Sequence, residues 1–281
     1  FLDFCPKSPL FLWDFRPNQL FNVTLFSPPN CALFEHLMKK YMTIHDEILI
    51  FHALKYGDDQ IIVEGLAKNY GKIALVVRIS HSSRAKVRHT IFQPMALLEV
   101  QWEEKPRAQL IRPLAARVAQ PWQTLHTSPV KAAITLFLAE FLLQVCRQEQ
   151  SGALFFDYVV HSLTWLDTSK DGYANFHLLF LMRLAQFLGI SPNTTEVELP
   201  YFDLMAAEFV SLAPAHAYYI FDAEAKAFAQ LLRMNFSTMH LFQLSRTQRN
   251  RILELILTYY RLHIPALPEL KSWEVLQEIF T

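Results

Sequence analysis

The chain has 281 residues, 52% of them hydrophobic and 19% charged, enough apolar material for one large domain or two small ones with a substantial core. With only 6 glycines against 23 phenylalanines, folds built on Gly-rich phosphate loops are disfavoured and a largely helical, aromatic core is favoured. Formal net charge is zero but unevenly laid out, −2 over residues 1–71, +7 over 72–131 and −5 over 132–281, so positive charge gathers in one segment as a polyanion-binding surface requires; solvated strand faces and loops are the plainer account of the same distribution.

Residues 1–37 are aromatic and broken by Pro6, Pro9, Pro17, Pro28 and Pro29. They lack the basic start and unbroken apolar stretch of a signal peptide. Position 1 is not Met, whereas Met38 and Met42 lie just ahead of the first clean strand pattern. Residues 1–41 are therefore expected to be an extension outside the main fold, either an over-extended start or an accessory arm.

From about residue 44 to 120 the pattern is β. Ile48–Phe51 is a short apolar run followed by the turn-forming Tyr56-Gly57-Asp58-Asp59. Ile61–Val63 predicts a second strand, Asn69-Tyr70-Gly71 a tight turn, and Ile73–Val77 a third strand. Ser80–Thr90 is polar, basic and loop-like, and Ala96–Trp102 predicts a fourth strand. Gln109–Val118 supplies a fifth, with Pro113 marking an edge or a bulge. Five short strands in so few residues point to a small barrel, for which the OB-fold is the five-stranded example.

After a linker, Pro121–Thr127, the hydrophobic period changes to that of helices. Ser128-Pro129 opens the first, with the serine hydroxyl capping and proline at the first helical position. Further helices are predicted at about 153–166, at 173–188 with Gly189 as its left-handed cap, and at 222–234. A short one opens near Ser237, a long one runs over about 246–263 behind a Ser245 cap, and the last covers 270–280. Residues 190–220, with prolines at 192, 200 and 214, read as irregular. The fold class is thus α+β, a five-stranded OB-fold barrel over 42–120 followed by an all-α domain over 121–281.

Several chemistries find no footing. Cys5, Cys31 and Cys146 lie far apart without a CxxC pair, which fits a reducing, cytoplasmic setting and excludes a cysteine-based zinc site. His161, His177 and the other histidines are scattered, with no H-E-x-x-H, so no metal is expected. There is no G-x-S-x-G, and Tyr70-Gly71-Lys72-Ile73 lacks the glycine loop and hydroxyl of a nucleotide-binding motif. Asp58-Asp59 and Glu103-Glu104 fall in turns and read as solvated surface. The longest apolar stretches, near 132–145 and 176–188, are interrupted by Glu140, His177 and Arg183, so no membrane span is expected. The expectation is a chain with no catalytic site and no cofactor.

The order and spacing of several segments resemble the RecO family. In the β half these are Lys55–Val63, Tyr70–Arg78, the basic Ser82–Arg88 and Phe92–Val100. In the helical half they are Tyr173–Leu181, Phe187–Ile190, Tyr201–Leu204, Leu231–Asn235 and Arg249–His263. The resemblance spans about 44–280, and residues 1–37 have no counterpart. Many members carry a four-cysteine zinc site after the third helix. Residues 190–220 contain no cysteine here, so the chain resembles a metal-free branch, with packing by Tyr201, Phe202, Leu204 and Phe209 in place of the metal.

The resemblance implies a recombination mediator that binds single- and double-stranded DNA, anneals strands, and helps RecA replace the single-stranded DNA-binding protein together with RecR. An OB barrel binds single strands by joining a cationic groove to aromatic stacking. The expected DNA contacts are Arg78, Arg84, Lys86 and Arg88 on a strand end and its loop, with Lys105, Arg107 and Arg112 from the next hairpin. Trp102 and Tyr70 are candidate stacking residues, although core packing accounts for each more simply. The acidic helical half suits protein partners, RecR and the acidic C-terminal tail of the single-stranded DNA-binding protein. Such a tail needs an apolar pocket rimmed by cations, with Arg183, Arg233, Arg246, Arg249 and Arg251 as candidates. The alternatives are a helical enzyme or small-ligand protein with a structural barrel, and a purely structural adaptor.

Overall fold

A computed structural model describes residues 43–80, 86–103, 110–146 and 152–279. The strands are β1 Thr43–Tyr56, β2 Gln60–Ala67, β3 Gly71–Arg78, β4 Leu97–Glu103 and β5 Pro113–Gln120, in antiparallel order β3-β2-β1-β4-β5. Just before β5, Ile111 bridges Leu75 of β3: Val76 N donates to the Ile111 carbonyl and Ile111 N to the Ala74 carbonyl, each at 2.9 Å. Among the described residues the two edges of the sheet thus meet through one bridge rather than a continuous ladder. This is the OB-type arrangement expected from five closely spaced strands.

Period-two alternation divides the strand side chains between two cores. Ile44, Ile48 and Ile50 join Val63, Leu75, Val77, Leu98, Val100 and Trp102 inside the sheet. On the other face Leu49, Phe51 and Leu66 pack into the helical core, with Met95 and Leu97. A bulge between Ile50 and His52 re-phases β1. Gly65 opposes Ile50, and a Cβ there would lie 2.6 Å from the Leu49 carbonyl oxygen, so the close approach of β1 and β2 excludes any side chain.

The helices are α1 Pro129–Val145, α2 Ala153–Thr168, α3 Phe176–Phe187, α4 Asp222–Arg233, α5 Arg246–His263 and α6 Ser272–Ile279. Pro129 occupies the first turn of α1 as predicted, but the Ser128 side chain makes no capping hydrogen bond. Ser245 does cap, in a reciprocal box with Gln248. Helix α3 begins at Phe176 rather than Tyr173, after Asn175, whose side chain reaches the Phe242 carbonyl at 2.6 Å and Arg249 at 3.0 Å. It ends as expected, with Gly189 at φ +72 and Ile190 N donating to the Ala185 carbonyl.

Residues 190–220 are not irregular throughout. They hold β6 Tyr201–Asp203 and β7 Glu208–Val210, which with β8 Tyr219–Phe221 form a small sheet ordered β7-β6-β8. Three-residue strands between prolines and turns are too short to display alternation, which is why the sequence conceals them. Phe202, Leu204, Phe209 and Ile220 are buried, Phe202 against Phe209 and Phe228. Tyr201 lies instead on the outer face, half-exposed and edge-on to Tyr219, so it does not join the packing expected of it. Asp203 closes the turn by accepting from Met205 N and Ala206 N, and its other oxygen meets His216 Nε2 at 3.1 Å.

The segment between β5 and α1 is fixed on both sides. Trp122 Nε1 donates to the Met95 carbonyl at 2.7 Å and His126 Nε2 to that of Pro94 at 2.9 Å. On the helical side the Asp167 carboxylate accepts from Gln123 N, Thr124 N and Leu125 N. Burial pushes this carboxyl up, but the three amides and the Thr124 hydroxyl outweigh it and hold it below its ordinary value. Buried Lys131 donates to Thr124 Oγ1 at 2.8 Å and to the carbonyls of Asp167 and Ser169 at 3.0 and 2.6 Å. Among the described residues no helix is long and apolar enough to cross a membrane.

Candidate nucleic-acid interface

Beyond its bulge, β1 turns His52, Leu54 and Tyr56 toward the outside. They stand opposite Glu64, Ile62 and Gln60 of β2, which in turn stand opposite Ala74, Val76 and Arg78 of β3. The last row, Tyr56–Gln60–Arg78, lies at the open end of the sheet. The hydrogen bonds that join Ile111 to Val76 and Ala74 bring the next residue, Arg112, to the same place. Arg78 and Arg112 share a cleft of about 320 Å³ with Asp59, Gln60, Val76 and Pro113. Within it the Arg78 guanidinium lies 3.1 Å from the Asp59 carboxylate, an exposed pair. Asp59 lies in the turn and is exposed, as expected, and also pairs with Arg78.

The chain after β3 runs back beside β5, where Ala116 N donates to the Lys86 carbonyl at 3.2 Å. Lys86 lines a different and larger cleft of about 540 Å³, with Lys68 and Arg117 facing Asp46, Glu47 and Glu99. Arg88 directly precedes a short 3-10 turn, His89–Ile91. Of the seven basic residues predicted to contact DNA, Arg78 and Arg112 therefore come together and Lys86 stands apart. Arg84, Lys105 and Arg107 lie outside the described residues.

Counting charge by segment overstates the free cations. Lys72 Nζ donates to the Leu143 carbonyl in the last turn of α1 and lies 3.6 Å from Glu64. Lys131 is buried, and burial pushes its ammonium down from the ordinary lysine value. Arg117 is paired with Glu99 at 2.5 Å. Lys72 and Lys131 hold the fold together, while the exposed Arg117 pair contributes little.

Trp102 is buried in the sheet core, the simpler of its two readings. Tyr70 is not in the core: it is half-exposed and edge-on to Trp102 at 5.5 Å. The sequence reading missed Tyr56, which is 56% exposed, and Leu54, which is 59% exposed. The signal was present, since Leu54-x-Tyr56 and Gln60-x-Ile62 alternate symmetrically about residues 57–59. By local sequence Tyr56 reads as the first residue of the turn Tyr56–Asp59, whereas it ends β1.

Each of the five candidate rim arginines has partners among the described residues. Arg183 donates to the Met234 carbonyl at 2.5 Å, beside Arg233, which pairs with Glu198 at 2.6 Å and lines a cleft of about 390 Å³ with Asp222 and Lys226. The others lie on the first two turns of α5. Arg246 reaches the Gln277 carbonyl, Arg249 reaches Asn175 and the Leu244 carbonyl, and Arg251 bridges Glu224 and Glu254. His177 is fully buried near Phe137, and burial first, then the Arg249 charge, holds its imidazole down to about 3. Among the described residues no three His, Cys, Asp or Glu side chains converge as metal ligands.

Comparison with known proteins covers both halves of the chain. The family model described as Recombination protein O N terminal matches residues 40–122, and that described as Recombination protein O C terminal matches residues 126–274. A DNA repair protein RecO of Bacteroides fragilis is 44% identical over 234 residues, 83% of this chain and 97% of the relative. That of Phocaeicola vulgatus is 40% identical over the same shares of both chains. A third, from Christiangramia forsetii, is 33% identical over 240 residues, 85% of this chain and all of the relative.

Proposed function

The chain belongs to the RecO family, and from that premise we propose that it is a DNA repair and recombination mediator that works by binding macromolecules rather than by catalysis. In this reading residues 42–120 bind single- and double-stranded DNA, and cations along the barrel screen the phosphate repulsion that opposes annealing of two strands. Residues 121–281 carry the protein contacts, RecR and the acidic C-terminal tail of the single-stranded DNA-binding protein, and so assist the loading of RecA.

The observation that carries the reading is the meeting of Arg78, at the end of β3, and Arg112, just ahead of β5, at one cleft beside Asp59 of the β1–β2 turn. This is the region through which OB-folds bind oligonucleotides. The Asp59 partner of Arg78 is no obstacle, because exposed ion pairs contribute little and a phosphate competes for the same guanidinium.

The test is fluorescence anisotropy of labelled single-stranded DNA across a salt titration, with and without RecR. Neutralising about five phosphates gives a log–log slope near −3.5, and the Arg78→Glu/Arg112→Glu double variant makes it shallower by about 1.4 with at least about ten-fold weaker binding. Charge reversal of Arg84, Lys86 and Arg88 weakens binding further. Unchanged affinity in both sets of variants overturns the proposal.

A further inference from the structure

We propose that the outer face of β1, β2 and β3 is a base-stacking platform centred on Tyr56, which makes the barrel prefer single-stranded to double-stranded DNA. The inference rests on the DNA-binding reading above and adds to it the origin of strand preference.

Among the described residues the helices meet this face at Leu49, Phe51, Leu66 and Lys72. Past the bulge it continues as an apolar surface in the open: Tyr56 and Leu54 are more than half exposed, and Ile62 and Val76 beside them are half-buried. The ladder fixes the arrangement, with Tyr56 in one row with Gln60 and Arg78, and Leu54 in the next with Ile62 and Val76. Arg78 stands two strands from Tyr56, about 10 Å away, and Arg112 shares its cleft. An aromatic and aliphatic surface bordered by guanidinium groups matches a strand with its bases on the apolar rows and its phosphates on the arginines. In a duplex the bases are already stacked inside the helix, so only the phosphate contacts remain available. The apolar face therefore contributes to single strands alone.

The experiment measures anisotropy of a labelled oligothymidine and of a labelled duplex against the full chain, Y56A, Y56F and Y56W. Stacking of one base predicts roughly ten-fold weaker single-strand binding by Y56A, with duplex binding and the salt slope unchanged because no charge is lost. Y56F and Y56W keep single-strand affinity, since the ring and not the hydroxyl does the stacking. The new Trp of Y56W is quenched when oligothymidine binds. Equal losses on both substrates, no loss with Y56A, or an unquenched Y56W each overturn the platform. If neither the Arg78/Arg112 double variant nor the charge reversal of Arg84, Lys86 and Arg88 weakens binding, the DNA-binding reading itself fails; if either weakens binding while Y56A does not, the platform alone fails.

Discussion

Lys72 Nζ donates to the carbonyl oxygen of Leu143 at 2.9 Å, fastening the β2–β3 hairpin to the C-terminal turn of α1. The carbonyls of a last helical turn have no partner within their helix, and a cation there also meets the negative end of the helix dipole. Lys72 belongs by sequence to the most basic segment, yet its place makes it structural. Lys72→Met is expected to cost about 1 kcal/mol and lower the melting temperature by roughly 2–4 °C. DNA affinity at fixed salt stays the same, as a paired melt and anisotropy titration checks.

Asp167 organises the passage from strands to helices by accepting from three successive amides, Gln123, Thr124 and Leu125. Asp167→Ala leaves those donors without their partner and is expected to cost about 2–4 kcal/mol in denaturant unfolding. The folded carboxyl titrates below its ordinary value, so its stabilisation is complete above the unfolded carboxylate range and is lost as pH falls through the folded one. The Ala variant therefore loses part of the acid sensitivity of the parent.

His177 gives a second, separable pH dependence. Its imidazole titrates near 6.5 when unfolded and about 3 when folded, because burial disfavours the charged form. Between those values the unfolded chain binds the extra proton, so stability falls as pH drops below 6.5 and the loss saturates near 3. At pH 5 it amounts to about 2 kcal/mol. Unfolding curves at pH 7 and pH 5 should differ by about that much more in the parent than in His177→Phe.

Gly65 lies where β1 and β2 approach too closely for any side chain, a Cβ falling 2.6 Å from the Leu49 carbonyl oxygen. Gly65→Ala must push the two strands apart next to the Ile50/His52 bulge and is expected to cost at least about 2 kcal/mol by denaturant unfolding. Gly57→Ala, in an open turn at φ +69, meets no atom within 4 Å and is expected to cost about 1 kcal/mol through its backbone alone. If Gly65→Ala proves no more costly than Gly57→Ala, the close approach is not the constraint.

By itself the sequence determined the five strands, the main helices, the Ser245 cap and the Gly189 terminus, because alternation, helical periodicity and capping chemistry are local properties of successive residues. It also located the excess of positive charge. Which of those cations face solvent together was decided only by the tertiary structure, since the bridge from Ile111 to Leu75 joins Arg112 to Arg78 across more than thirty residues while packing withdraws Lys72 and Lys131 into the joint with the helices. The small β6–β7–β8 sheet and the exposed row at Tyr56 belong to the same class. A strand's pattern says which residues share a face, but whether a helix covers that face depends on contacts distant in the chain.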